Sequence, residues 1–166
     1  MARRTKRALK GALAGAAGGL VASYAMNLFQ AGLSKLTSRN GQQQPSQQSE
    51  EPATVKAAER VSENVFKHTL REEEKGPSGS LVHYLFGTAV GGAYGALAEK
   101  SATARVGYGI LFGSVLWFLS DEIAVPALGL SKGPKQYPVK THASALASHL
   151  VYGAATELVR SGLRAI

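Results

Sequence analysis

Six residues in this chain have side chains that could hold or pass a proton, or meet a cation, from inside an apolar setting: Asn27, His83, Asp121, Glu122, His142 and His149. The acids carry the sharpest signal. Asp121 and Glu122 stand side by side in the run VGYGILFGSVLWFLSDEIAVPALGLS, Val106 to Ser131, which opens like a membrane span. Carboxylates are costly in a bilayer and face a bundle interior, a watered cavity or the interface. Pro126 follows closely, and proline removes a backbone donor and kinks or ends a helix. Two readings follow. Either a broken helix carries the acids into a protein-enclosed layer, or the span ends at Ser120 and the acids sit in the headgroups near Lys132 and Lys135.

The histidines bear on that choice. His142 and His149 share one helical face. At 1.5 Å per residue, His149 lies about 12 Å down its helix and His83 about 8 Å down its own, while Asp121 lies about 24 Å along a span entering from the other side, a similar level. Imidazoles beside carboxylates suit a proton relay or a transition-metal site. The ordinary alternative is a set of separate histidines, each interfacial or hydrogen-bonded to a neighbouring helix. No metal ligand set, cofactor or catalytic residue is assigned. The chain lacks a His-Glu-x-x-His pair, a nucleophile elbow and a phosphate loop, and Gly107-Tyr108-Gly109 belongs to a span, so an enzyme is not expected. The absence of cysteine excludes disulfides, thiolate metal sites and Fe–S clusters.

Positioning these residues requires helices in lipid. The apolar stretches are rich in glycine and alanine, the composition of closely apposed transmembrane helices. Uncharged runs predict four spans, near 9–36, 79–98, 105–124 and 140–159. The first follows Arg3, Arg4, Lys6, Arg7 and Lys10, a basic cluster that reads as a cytoplasmic anchor attracting anionic lipid. A cleaved signal peptide competes for this segment, but the apolar run is long for one, and retention is expected. Nucleic acid, the rival partner for basic residues, is not expected, because no folded basic motif accompanies the charge.

Residues 36–49, with GQQQPSQQS, form a polar linker that cannot fold alone. Ser49-Glu50-Glu51-Pro52 starts a helix predicted to run to about Lys75, with Val55, Ala58, Val61, Val65, Phe66 and Leu70 on one face. This amphipathic helix would lie on the membrane or over the bundle, with Gly76-Pro77-Ser78-Gly79 ending it. Glu157 and Arg160 read as a pair at the membrane interface.

Small residues recur at every fourth position in three runs: Gly11, Gly15 and Gly19; Gly87, Gly91 and Gly95; Gly109 and Gly113. Such stripes let helix backbones approach closely, within or between chains, so a homo-oligomer or larger membrane complex is expected. The chain also repeats itself. Gly32-Leu33-Ser34-Lys35 recurs as Gly129-Leu130-Ser131-Lys132, and His83 to Gly87 matches His149 to Gly153 in the pattern His-x-x-x-Gly. The expected fold is an all-α integral membrane domain over 1–166. It is a four-helix transmembrane bundle of two tandem helix-loop-helix repeats (about 9–98 and 105–160), with the amphipathic helix inserted in the first. The basic N-terminal cluster puts both termini in the cytoplasm.

Met26-Asn27-Leu28-Phe29-Gln30, His83-Tyr84-Leu85-Phe86-Gly87, Ser120-Asp121-Glu122 with Pro126 and Gly129-Leu130, and His149 to Gly153 together resemble the YagU-like family of uncharacterised bacterial inner-membrane proteins. The resemblance covers the spans and not the Gln-rich linker. It implies a multi-spanning inner-membrane protein and transfers no catalytic residue. The reading ranked first is an interaction or accessory subunit working through its glycine faces. The alternative is a minimal proton- or cation-handling transporter or channel using Asp121, Glu122 and the histidines.

Overall fold

The computed structural model describes residues 2–39 and 50–165, and within them every regular element is helical. Residues 40–49 of the expected linker, and Ser49 as a cap, lie outside the described residues. Helix α1 spans Ala2–Arg39, α2 spans Ala53–Val61 and continues through a π turn at Ser62–Phe66, and α3 spans Glu72–Ala98. Helix α4, Ile110–Trp117, passes through a second π turn, Phe118–Ala124, into the short α5, Val125–Ala127. Helix α6 spans Val139–Ala165. Three stretches are long and apolar enough to cross a membrane: Arg3–Thr37, Glu72–Ala98 and Thr103–Ala127.

Glycine sets how the helices meet. The α1 stripe faces the α3 stripe in antiparallel register, Gly11 against Gly95, Gly15 against Gly91 and Gly19 against Gly87. A Cβ on Gly11 would stand 2.5 Å from the Gly95 carbonyl oxygen, and one on Gly91 2.5 Å from that of Gly15. Neither distance can be tolerated against backbone, so contact this close requires glycine on both helices. The second half repeats the device. Gly109 abuts Gly153, and Gly113 abuts the His149 carbonyl, bringing α4 antiparallel onto α6. Gly18 against the Thr156 backbone joins the halves through α1 and α6.

The interior is small-residue and polar, and the exterior is greasy. Ala22, Met26 and Tyr152 form the buried centre, with Phe112 and Leu116 against it, and Tyr94 stacks on Phe112 at 4.2 Å between ring centroids. Leu20, Leu28, Leu81, Leu85, Leu111 and Phe118 are exposed. That inversion is what lipid as solvent demands, since apolar side chains gain nothing by leaving it. Helix α6 takes the inversion furthest. It buries Ser148, His149, Thr156, Glu157 and Arg160 and exposes Leu158, which explains its modest hydropathy despite its central place.

Several boundaries differ from the sequence expectation. The helix expected over 50–75 ends at Phe66, where Lys67 takes a left-handed conformation at φ 55° and the chain turns. Helix α3 then begins at Glu72, so Gly76-Pro77-Ser78-Gly79 lies inside a helix instead of ending one. Glu72, Glu73 and Glu74 are the reason. Acids favour the positive end of a helix. The Glu74 carboxylate also accepts from the Arg71 backbone N–H at 2.8 Å. The third apolar stretch begins at Thr103, near the expected 105, but its α-helix starts only at Ile110, because Val106, Gly107 and Tyr108 leave helical geometry.

Candidate functional site

Asp121 and Glu122 do not end a helix. They sit within the π turn, which closes with the Val125 N–H donating to the Ser120 carbonyl, five residues back. Pro126 would clash with the carbonyl four residues before it, and the widened turn ahead of it relieves that clash. The rod continues to Ala127 and stops at Gly129, where φ is 65°. The Leu130 N–H donates to the Val125 carbonyl and closes the end. The helix therefore continues past Ser120 and carries both acids within it. Lys132 pairs instead with Glu50 at 2.8 Å, and no ion pair joins either acid to a lysine among the described residues.

The acids turn instead toward α6. Glu122 Oε1 is 2.5 Å from His142 Nδ1, and the other ring nitrogen of His142 donates to the Pro134 carbonyl at 3.0 Å. A carbonyl can only accept, so that nitrogen carries its hydrogen. That leaves Nδ1 facing the Glu122 carboxyl, placed for one proton to lie between them. Asp121 Oδ2 is 3.7 Å from His149 Nδ1, whose N–H donates to the Ala145 carbonyl at 2.9 Å. Ser120 Oγ is 2.9 Å from Asp121 Oδ1. On the facing helices, Asn27 donates to the Tyr84 hydroxyl at 3.2 Å, and the buried Nε2 of His83 has no hydrogen-bond partner among the described residues.

All six residues line one cavity of about 1110 Å³ at the end of the bundle opposite the N-terminus. Its walls come from α1, α3, the α4–α5 rod and α6. Helix α2 lies across the mouth. Val55 of α2 seats on Gly79 of α3, and Lys75 bridges Glu51, Glu59 and Glu72 at 3.1, 3.1 and 2.8 Å. The Arg60 guanidinium donates to the Leu128 and Gly129 carbonyls, capping the rod's negative end. At the rim, Lys132 and the Tyr137 hydroxyl donate to Glu50 and hold its carboxyl below the usual range. The imidazoles go to separate carboxylates, and no group of three His, Asp or Glu among the described residues is placed to hold a metal ion.

A second polar cluster, at the other end, was legible in the sequence only as the pair Glu157 and Arg160. Arg160 grips Glu157 with two nitrogens at 2.6 and 2.7 Å, the Tyr94 hydroxyl donates to Glu157 at 2.8 Å, and Arg164 donates to Glu99 at 2.7 Å. Glu157 and Arg160 are 5% and 4% exposed, so the pair expected at the membrane interface is inside the bundle. The spacing Glu157, Arg160, Arg164 on one helical face was the available signal. Its partners, Tyr94 and Glu99, come from another helix and gave none.

Residues 36–158 match the model of a family described as proteins of unknown function, DUF1440. No curated protein and no solved structure matches the chain. The match takes in α3, the α4–α5 rod and most of α6 as the YagU-like resemblance implies, but it also takes in the Gln-rich stretch and leaves out most of α1. YagU-like proteins fall within the same family. The chain therefore belongs to the DUF1440 family of proteins of unknown function.

Proposed function

We propose that this chain is a small multi-spanning inner-membrane protein that handles protons or cations through the α2-covered cavity. Four helices cross the membrane, α6 being the fourth. They form two tandem helical pairs, with both termini cytoplasmic and the cavity opening outward. The observation that carries the reading is the close contact of Glu122 with His142, beside Asp121 and His149 in the same cavity. A carboxyl and an imidazole that share a proton within membrane depth make up the chemistry of a relay. The tandem arrangement draws support from equivalent contacts, because the glycine four residues after each histidine (Gly87, Gly153) meets a glycine of the preceding helix. The two GLSK segments are not equivalent, one lying inside α1 and the other at the rod's end.

This reading displaces the accessory-subunit expectation from first place for one reason. The glycine faces are occupied within the chain, α1 on α3 and α4 on α6, so recruitment of a partner or a second copy would need other surfaces. The test is proton entry into proteoliposomes loaded with a pH-sensitive dye, under an imposed gradient. The full chain should admit protons faster than empty vesicles, and Asp121→Asn or Glu122→Gln should slow entry by about tenfold, the kinetic equivalent of ~1.4 kcal/mol on the barrier. Entry no faster than in empty vesicles, or unaltered by both substitutions, would return the chain to the accessory reading.

A further inference from the structure

We infer that the cavity binds an organic cation with an apolar body, a protonated amine or a quaternary ammonium or phosphonium. This rests on the reading above and names the ligand class of the same site. Size comes first. A relay for protons alone needs only a file of waters, whereas the cavity holds about 1110 Å³. That volume is at the upper end of pockets that enclose a small organic molecule. The lining fits such a molecule. Val82, Phe86, Leu116, Leu119, Val125 and Leu128 supply apolar wall, and carboxylates and imidazoles stand among them.

The sign of the charge is set by what lines the cavity. Four carboxylates are present, Glu50, Glu51, Asp121 and Glu122, against one lysine, Lys56. Lys132 takes Glu50 and Lys75 takes Glu51, which leaves the two deep acids, among the described residues, with imidazoles as their only cationic partners. Imidazoles can give up their charge, so a positive ligand can replace them as counter-ion to Asp121 and Glu122. Phe86 adds an aromatic ring to the lining. A bare metal ion is a poorer fit, since no three ligands converge among the described residues. An anion would meet two carboxylates with no arginine in the described lining.

The experiment uses the purified full chain in detergent, with radiolabelled tetraphenylphosphonium as probe and tetraphenylborate, the anion of the same shape, as competitor. Saturable binding of one probe per chain is expected, with no displacement by the borate. Asp121→Asn combined with Glu122→Gln should weaken binding by about tenfold or more. Val82→Trp, which fills the cavity from α3 without touching either acid, should do the same while keeping the wild-type circular dichroism and melting temperature. Equal displacement by the borate would mean an apolar, lipid-like pocket and would overturn the inference. Affinity unchanged by both variants would overturn it too. If the phosphonium fails to bind while proton entry still depends on Asp121 and Glu122, the inference falls and the proton-handling reading stands.

Discussion

Glu122 and His142 lie in direct hydrogen-bond contact, with Asp121 and His149 as the neighbouring pair. Residue chemistry at the opposite end of the bundle is of another kind. Glu157 and Arg160 form a buried, two-pronged ion pair, and removing one partner strands the other charge. Arg160→Met should cost about 3–5 kcal/mol of unfolding free energy, whereas Tyr94→Phe, which removes one hydrogen bond, should cost about 1 kcal/mol. Denaturation in mixed micelles would separate the two. At the rim, Glu50 is held below its ordinary carboxyl range by Lys132 and Tyr137. A depressed carboxyl contributes stability that is present above its unfolded value and lost as pH falls through the folded one. The melting-temperature difference between wild type and Glu50→Gln should accordingly be small at neutral pH and vanish in strongly acidic buffer. A difference growing with acidity would contradict the contact.

At the level of elements, glycine spacing was the most legible feature of the sequence. Both stripes of the first half were readable from period alone, and the structure sets them against each other in register. Their partners were not readable, because a stripe states that something comes close without naming it. The α2–α3 boundary was missed for a different reason. Gly76-Pro77 is a strong local stop signal, and it is overridden by three glutamates just upstream that favour a helix start and by Val55 packing on Gly79. The rod carrying the acids was half legible. Proline announced a disturbance, while the π turn that absorbs it without ending the helix depends on backbone hydrogen bonds that sequence does not display. His83, Asp121 and His149 could be placed at similar depth by counting residues, but the convergence of all six polar residues on one cavity needed the helix order.

The glycine contact yields a sharp prediction at this same scale. A Cβ at position 91 meets the Gly15 carbonyl, whereas Ala93 is exposed. Gly91→Leu should therefore cost about 3 kcal/mol or more. Ala93→Leu should change stability by no more than about 0.5 kcal/mol. Equal losses on thermal unfolding in detergent would show that the stripe does not hold the helices together.

Taken whole, the molecule is arranged by its solvent: large apolar side chains outside, glycine and polar groups within, and one end hollow. Four crossings require the α3–α4 turn and the α5–α6 loop to emerge on opposite faces. The chain has no native cysteine, so single cysteines at Ser101 and Lys135 label without background. In intact cells an impermeant maleimide should reach position 135 and not 101, and labelling of both from one side would refute the topology. The function proposed depends above all on α4–α5 and α6 building one site from their polar residues. The most direct measurement is a double-mutant cycle, Asp121→Asn with His149→Ala, read by thermal unfolding in detergent at pH values on either side of the ordinary imidazole pKa of about 6.5. Groups sharing a cavity predict a coupling of at least about 0.5 kcal/mol that changes between the two pH values. Additive effects, the same at both, would contradict it.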